Sequence, residues 1–271
     1  MKYSINMFVP LRITKTEILQ LKRRIGVLPL PNQHIVSKEF YEAILRSVTD
    51  GRGVIDGSNL QNLNFPFASP HYDVFISYSH NDEDLALYLT AYLRHKRLNV
   101  FLDSTIWNSA DGLLNAIDKQ YSWAEDGIHY DVTKRNFTTS HVHAMLSMAM
   151  LEAIRRSECC LFIESPHSLT LKSGVETKTL SPWIYEEASY INTIQPTMPP
   201  RLMEPQLRLF CEGGDIRVQD SVDMQMKAQY RIDLTNFQHI VSTDLEGNDG
   251  TGILDAIYSK YNIRKPRVLW D

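Results

Sequence analysis

Long apolar runs are missing from this 271-residue chain, and none approaches the roughly 20 residues that a membrane-spanning helix needs. The first residues combine one lysine with a short apolar run but have no cleavage site, so no signal peptide is expected. Cysteine is scarce: there are three, and Cys159 and Cys160 are adjacent in an apolar segment. An odd count with an adjacent pair argues against a disulfide scaffold and predicts a reducing compartment, the cytoplasm.

A surplus of one charge sign is also lacking. The chain has 28 basic and 32 acidic residues and a net charge of -4, which gives no support to binding along a nucleic-acid backbone. Neither standard glycine-rich phosphate loop is present, and there is no CxxC pair, HExxH motif or serine elbow. His141 and His143 would share one side of a strand but diverge by roughly 200° on a helix. Surface or capping histidines are the favoured interpretation, and neither a metal nor a cofactor is expected.

The segment from His71 to Asp103 contains the most informative pattern in the chain. Apolar residues around Val74–Ile76 predict a strand, and a polar corner at 77–82 follows it. Asn81 or Asp82 is expected to cap the next helix, whose apolar residues recur on one face. A second strand then ends at Asp103. This is a βαβ unit, and its polar corner lies at the strand end where parallel sheets bind ligands.

Further strands and helices continue the alternation. Cys159–Glu164 is apolar almost throughout, as expected of a central parallel strand. Ser181 and Pro182 predict the start of a helix that runs through Ile194, with the serine as cap and the proline in the first turn. Candidates for the fourth and fifth strands and for the last helix are Leu207–Cys211, His239–Val241 and Ile253–Tyr261.

Two other regions differ in character from this alternation. Residues 1–66 predict two short helices, one over Thr16–Arg24 stopped at Gly26 and one from Ser37 through Val48, and a polar linker follows. About forty residues after Asp103 are expected to be irregular. The predicted division is therefore a helical N-terminal extension at 1–66 and a main domain at 67–271, with a long insert at about 104–143.

Two polar corners are expected to open at the same edge of the parallel sheet. One is Ser77–His80, and the other lies on the helix that contains Trp183 and Glu187. These two residues are four positions apart and therefore share a helix face. An aromatic ring beside a carboxylate can bind a ring-bearing ligand and stabilise positive charge on it. The competing interpretation is structural, because acidic residues favour the first turns of helices and a tryptophan there usually belongs to the core.

The combination of DVFISYSHND, VFLD, CCLFIESPHSL and SPWIYEEASYI resembles the successive motifs of a Toll/interleukin-1 receptor (TIR) domain. The resemblance covers roughly residues 71–262. It implies a flavodoxin-like α/β fold with a five-stranded parallel sheet and helices on both faces. Isoleucine stands at position 184, where the family often has cysteine, and the insert after Asp103 is longer than in typical members.

Many bacterial and plant members of this family cleave NAD⁺ between nicotinamide and ribose. The resemblance implies that Glu187 is the catalytic glutamate, with Glu186 as the source of a possible register error. It aligns Ser77 and Tyr78 with residues that line the nucleotide site and Asp103 with the start of the loop that gates it. Trp107 or Trp183 is expected to stack on nicotinamide or adenine.

The main hypothesis is a stand-alone cytoplasmic enzyme of antiphage defence, similar to Thoeris-like TIR proteins. NAD⁺ is its substrate, and the products are nicotinamide and ADP-ribose or a cyclic isomer of it. Its expected partners are further copies of the chain, through TIR–TIR contacts, and an effector that senses the nucleotide product. One alternative is a non-catalytic TIR scaffold that acts by homotypic contact. A weaker alternative is an enzyme similar to nucleoside deoxyribosyltransferases, because related folds use a glutamate on a base–sugar bond.

Overall fold

A computed structural model describes residues 9–30, 38–65, 67, 69, 71–102, 104–171, 177–194 and 228–263. The helices are α1 (Lys15–Ile25), α2 (Lys38–Val48), α3 (Gly57–Asn64), α4 (Glu83–His95), α5 (Ser104–Tyr121), α6 (Val132–Arg155), α7 (Pro182–Thr193) and α8 (Gly252–Lys260). The strands are β1 (Val9–Thr14), β2 (Tyr72–Ser77), β3 (Val100–Leu102), β4 (Ser157–Glu164), β5 (Thr170–Leu171), β6 (Thr177–Thr179), β7 (Tyr230–Arg231) and β8 (Gln238–His239). Short 3₁₀ turns occupy His80–Asp82 and Ser242–Leu245.

Five strands form one sheet in the spatial order β3-β2-β4-β1-β8, and every pairing in it is parallel. The predicted α/β class, with a flavodoxin-like five-stranded parallel sheet covered on both faces, is confirmed. β4 is buried along nearly its whole length between β2 and β1, as its apolar sequence predicts. The remaining three strands form a small antiparallel sheet in the order β5-β6-β7.

The strand next to β4 comes from the start of the chain, which the sequence does not predict. Residues 9–14 were expected to belong to a helical extension, but they form β1, between β4 and β8. The sheet therefore draws strands from both sides of the predicted boundary at residue 66. Leu207–Cys211, the expected fourth strand, lies outside the described residues.

Two apolar cores cover the two faces of the sheet because successive strand residues point to opposite sides. Cys159 faces one core and Cys160 the other. The first core is built from α1, α4 and α8, and the second from α2, α3, α5, α6 and α7. The predicted helix stopped at Gly26 is confirmed as α1, because Gly26 adopts a positive φ of 87° and its N–H bonds to Lys22.

The region after Asp103 is not irregular. Helices α5 and α6 occupy most of it as an antiparallel hairpin against the sheet, so that prediction was wrong. Buried residues at positions 110, 113, 116 and 117 of α5 have helical spacing, a signal that the polar residues between them obscured. Asp131 caps α6 by accepting from the N–H of Lys134 at 2.9 Å. No helix in the described part of the chain is long and apolar enough to cross a membrane.

Candidate functional site

The candidate site lies at the carboxyl ends of β2 and β4. The chain leaves β2 for β3 on one side, and β4 flanks β2 on the other. Such a change of direction opens a crevice between neighbouring strands, where open α/β sheets bind their ligands. Ser77 ends β2 and Glu164 ends β4, and a polar turn follows each strand. The predicted location thus lies at the point where the strand order changes direction.

Helix α7 brings Glu187 to the end of β2. The Ser77 hydroxyl donates a short hydrogen bond to Glu187 Oε2, and both residues are only 1% exposed. The start of α7 is set by Ser181, whose Oγ accepts from the N–H of Ile184 at 3.3 Å, and by Pro182 in the first turn. The predicted cap and the predicted proximity of the two polar corners are therefore present.

The neighbouring carboxylate of Glu186 is engaged elsewhere. The Tyr190 hydroxyl donates to Glu186 Oε1 at 2.6 Å, one turn further along α7. Burial raises the pKa of Tyr190, and the hydrogen bond to this carboxylate raises it further. Glu186 is therefore held within its own helix, while Glu187 contacts the end of β2.

A second cluster at the same edge joins three separate chain segments through Asp82. Lys15, at the start of α1, lies 3.2 Å from Asp82 Oδ1, and the Ser165 hydroxyl after β4 donates to Oδ2. The Asp82 side chain is fully buried, whereas Lys15 is 38% exposed. Neither Asp82 nor Asn81 caps α4 as predicted: no side-chain capping bond forms there, and the Asp82 carboxylate is used by this long-range cluster instead.

The turn after β4 is held by its own serines. Ser165 Oγ accepts from the backbone N–H groups of His167 and Ser168, at 3.0 and 3.1 Å. The Ser168 hydroxyl, fully buried, accepts from the N–H of Ser165 at 2.9 Å. This network fixes the position of the side chain that donates to Asp82.

Two cations stand beside these carboxylates, at the carboxyl end of β1. Arg12 pairs with Glu164 at 3.3 Å, and its side chain is 33% exposed. Lys15 follows three residues later and reaches Asp82. Neither residue has a local signal in the sequence, because its contribution depends on β1 lying beside β4. The edge therefore combines buried carboxylates with two partly exposed cations.

The other predicted site residues are arranged less directly. Tyr78 is buried in the core formed with α1, α4 and α8. Trp183 is half-buried, and its ring lies edge-on to His143 of α6, with 5.2 Å between ring centroids. Trp107 lies in the first turn of α5, but its side chain is outside the described part, and Asp103 is also outside it. The roles assigned to these four residues stay predictions.

The histidine pair belongs to a helix. His141 and His143 both lie on α6, where side chains two positions apart diverge, and their rings contact Phe137 and Trp183 respectively. They do not converge on one metal position.

Comparisons with protein-family models, with curated proteins and with solved structures give no match to this chain. What is shown is the class of protein: an α/β protein with a five-stranded parallel sheet flanked by helices. The TIR resemblance stays a prediction based on the motifs.

Proposed function

We propose that this chain is a TIR-like NAD⁺ nucleosidase that cleaves the bond between nicotinamide and ribose. Its products would be nicotinamide and ADP-ribose or a cyclic ADP-ribose isomer, made as a signal in antiphage defence. The observation that carries the proposal is the contact of Ser77 with Glu187, at the carboxyl end of β2. It joins the two motifs on which the resemblance depends, and it lies at the edge of the sheet where proteins of this architecture bind nucleotides, which supports the proposal.

The chemistry suits a single carboxylate. Nicotinamide leaves as a neutral base, so the leaving group needs no general acid, and positive charge develops on the ribose as an oxocarbenium ion. Glu187 would stabilise that charge or hold the ribose hydroxyls, as carboxylates do in glycoside cleavage. Its near-complete burial strengthens this electrostatic effect, because the surroundings have a low dielectric constant. The Ser77 hydroxyl would orient the carboxylate.

Cations at the same edge suit the diphosphate of the substrate. Arg12 and Lys15 are each about one-third exposed while they pair with Glu164 and Asp82. Arginine and lysine at the mouth of a crevice attract and hold phosphate oxygens. In the proposed complex, their exposed N–H groups face the diphosphate while the ion pairs keep the side chains extended.

The proposal includes a cytoplasmic location, where NAD⁺ is available and thiols such as Cys159 and Cys160 stay reduced. It also includes assembly with further copies of the chain through TIR–TIR contacts, and an effector that senses the product. NAD⁺ is a substrate here, and no resident cofactor is required.

One observation favours a second candidate, a non-catalytic TIR scaffold. Glu187 is 1% exposed and already accepts a hydrogen bond from Ser77. A ligand can reach this carboxylate only after α7 or the neighbouring turns move. A buried, hydrogen-bonded carboxylate can instead simply hold α7 on the sheet.

The experiment is to incubate the purified full-length protein with NAD⁺ and to quantify nicotinamide by chromatography over a wide range of protein concentrations. Glu187→Gln retains the acceptor for Ser77 and removes the charge, and Glu186→Gln is the matched control one position away. We expect Glu187→Gln to lower the rate by about 100-fold or more, while Glu186→Gln changes it little. Thermal melting of all three proteins verifies the fold.

Other outcomes decide against parts of the proposal. Equal rates for wild type and Glu187→Gln would show that the site assignment is wrong. If wild type releases no nicotinamide at any concentration, with or without lysate of phage-infected cells, the scaffold is favoured. Self-association that persists in Glu187→Gln would agree with that result.

A further inference from the structure

Another polar cluster, separate from the one around Asp82, lies at the opposite, amino-terminal edge of the sheet. It consists of His71, Asp73 and Glu158, and the potential ligand atoms of these three side chains all lie within 4.8 Å of one another. The strand register pairs Tyr72 with Ser157 and Val74 with Cys159, which sets Asp73 beside Glu158. The cluster is therefore built by the central strand pair and does not share the edge of the candidate nucleotide site.

The histidine presents a lone pair to this cluster. His71 Nδ1 lies 3.0 Å from the carbonyl oxygen of Arg156. Because a carbonyl oxygen only accepts hydrogen bonds, Nδ1 carries the proton, and Nε2 of the neutral ring is unprotonated. Nε2 lies 3.8 Å from Asp73 Oδ1, which is too long for a hydrogen bond but close to the spacing of two ligands on one ion.

Both carboxylates are held from outside the cluster. Asp73 Oδ2 accepts from the backbone N–H of Asn99 at 2.7 Å, and its other oxygen is the one nearest His71 Nε2. Glu158 is fully buried, and its Oε1 accepts from the Tyr258 hydroxyl of α8 at 3.2 Å. Ligands of metal ions are commonly oriented by such outer contacts, and a histidine N–H donated to a backbone carbonyl is one common form.

We propose that His71, Asp73 and Glu158 bind a divalent transition-metal ion of the Zn²⁺ or Mn²⁺ class. One imidazole nitrogen and two carboxylates match the ligand preferences of these ions. The ion would offset the repulsion between two carboxylates in a small volume. A protonated histidine could pair with Asp73 instead, but a pair at 3.8 Å with the histidine side chain 31% exposed contributes little.

The geometry of the cluster also indicates how an ion would reach it and what binding would change. The side chains of His71 and Asp73 are 31% and 14% exposed, so an ion can enter from solvent, whereas Glu158 forms the buried floor of the site. The ion would join the first residues of β2 and β4 and, through Tyr258, helix α8. Its effect is therefore on the stability of the sheet, and the proposal does not depend on NAD⁺ cleavage.

The test uses tag-free, full-length protein treated with a chelator and then titrated with Zn²⁺, Mn²⁺ or Mg²⁺ by calorimetry. The variants are His71→Ala, Asp73→Asn and Glu158→Gln; asparagine can still accept from Asn99, and glutamine can still accept from Tyr258. His129→Ala is the matched control, because His129 pairs with Asp126 at 2.8 Å in an exposed turn, and no third ligand lies near this pair among the described residues.

We expect one Zn²⁺ or Mn²⁺ per chain, bound more tightly than Mg²⁺, with affinity at least about 10-fold lower in each site variant and unchanged in His129→Ala. At about 100 times the dissociation constant, the ion should raise the melting temperature of the wild type by roughly 5–10 °C. The proposal is overturned if folded wild-type protein binds no ion. Binding that survives in both His71→Ala and Asp73→Asn, or that is lost in His129→Ala, also overturns it.

Discussion

Ser77 and Glu187 are 110 positions apart in the chain, yet the hydroxyl of one donates a hydrogen bond to the carboxylate of the other. Both are 1% exposed. A carboxylate buried to this extent is tolerated only when donors replace the water that it has lost. The contact therefore secures α7 to the end of β2, whether the carboxylate acts on a substrate or only holds the helix.

Removing this donor should destabilise the fold. Ser77→Ala leaves the Glu187 carboxylate without the hydroxyl, and we expect the free energy of unfolding to fall by about 1–3 kcal/mol. Urea unfolding followed by circular dichroism measures it. The matched control is Ser189→Ala on the same helix, whose hydroxyl donates to the Tyr185 carbonyl at 2.7 Å in an exposed position. The free energy of unfolding of Ser189→Ala should change by no more than about 0.5 kcal/mol. Equal losses in the two variants would show that the buried hydrogen bond contributes no more than the exposed one.

Two opposing electrostatic effects act on the lysine at the start of α1. Lys15 sits where the helix dipole disfavours a cation, and replacing it should gain about 0.3–1 kcal/mol. It also neutralises the fully buried carboxylate of Asp82, and leaving that charge with less compensation costs several kcal/mol in a buried setting. Because Lys15 is 38% exposed, this cost is reduced. We expect a net loss of about 1–2 kcal/mol for Lys15→Met.

The control for this prediction is Lys119→Met, at an exposed position of α5. Urea unfolding of both variants gives the comparison. If Lys15→Met is as stable as Lys119→Met, Asp82 does not depend on Lys15. A double variant with Asp82→Asn should lose less than the sum of the single losses, because asparagine carries no charge to compensate.

Much of the fold was predictable because its signals are local. The β2-α4-β3 unit follows from apolar alternation and helical spacing, and α7 follows from Ser181 and Pro182. The strand Val9–Thr14 was not predictable in this way, because its place in the sheet depends on pairing with a segment that starts at Ser157. A strand of six residues has no local sequence feature that identifies the strand with which it pairs.

In the candidate site, too, some residues could be predicted from local motifs and others could not. Glu187 and Ser77 were predicted from motifs, and the structure brings them together. The sequence around Asp82 predicts a helix cap, whereas its partners in the structure lie 67 and 83 positions away. Contacts between residues so far apart in the chain depend on how whole helices and strands pack. The pattern of side chains around one residue does not predict that packing.

The acid stability of the fold should depend on Asp244. Burial acts to raise its pKa, but hydrogen bonds from Lys260, Tyr261 and the N–H of Val241 outweigh burial and leave the pKa below its ordinary value of 3.8. A lowered folded-state pKa means that the charged carboxylate stabilises the fold above about pH 4, and that this contribution is lost as the pH falls through the folded-state value.

Asp244→Asn should therefore be less stable than wild type at pH 7, and the difference should narrow as the pH falls from about 4 towards 2. Urea unfolding at a series of pH values measures it. Asp111→Asn, at an exposed position of α5, should show a small difference that does not follow this course. A difference for Asp244→Asn that stays constant down to pH 2 would contradict the assignment.

Gly112, in the middle of α5, lies directly against helix α2. A Cβ at Gly112 would collide with the ring of Tyr41 from α2, with the phenolic oxygen at 2.8 Å, and Tyr41 is itself 5% exposed. Glycine to alanine inside a helix normally gains about 1 kcal/mol. Here we expect Gly112→Ala to lose about 1–3 kcal/mol, because the buried ring must shift to admit the new methyl group.

Gly57→Ala is the matched control, since its Cβ would lie at an ordinary 3.5 Å from Met145. It should be neutral or mildly stabilising in thermal and urea unfolding. Combining Gly112→Ala with Tyr41→Leu should cost less than the sum of the two single changes, because the smaller side chain makes room for the new methyl group. Strict additivity would mean that α2 and α5 do not meet at this point, and that residues before 66 pack on the main sheet in some other way.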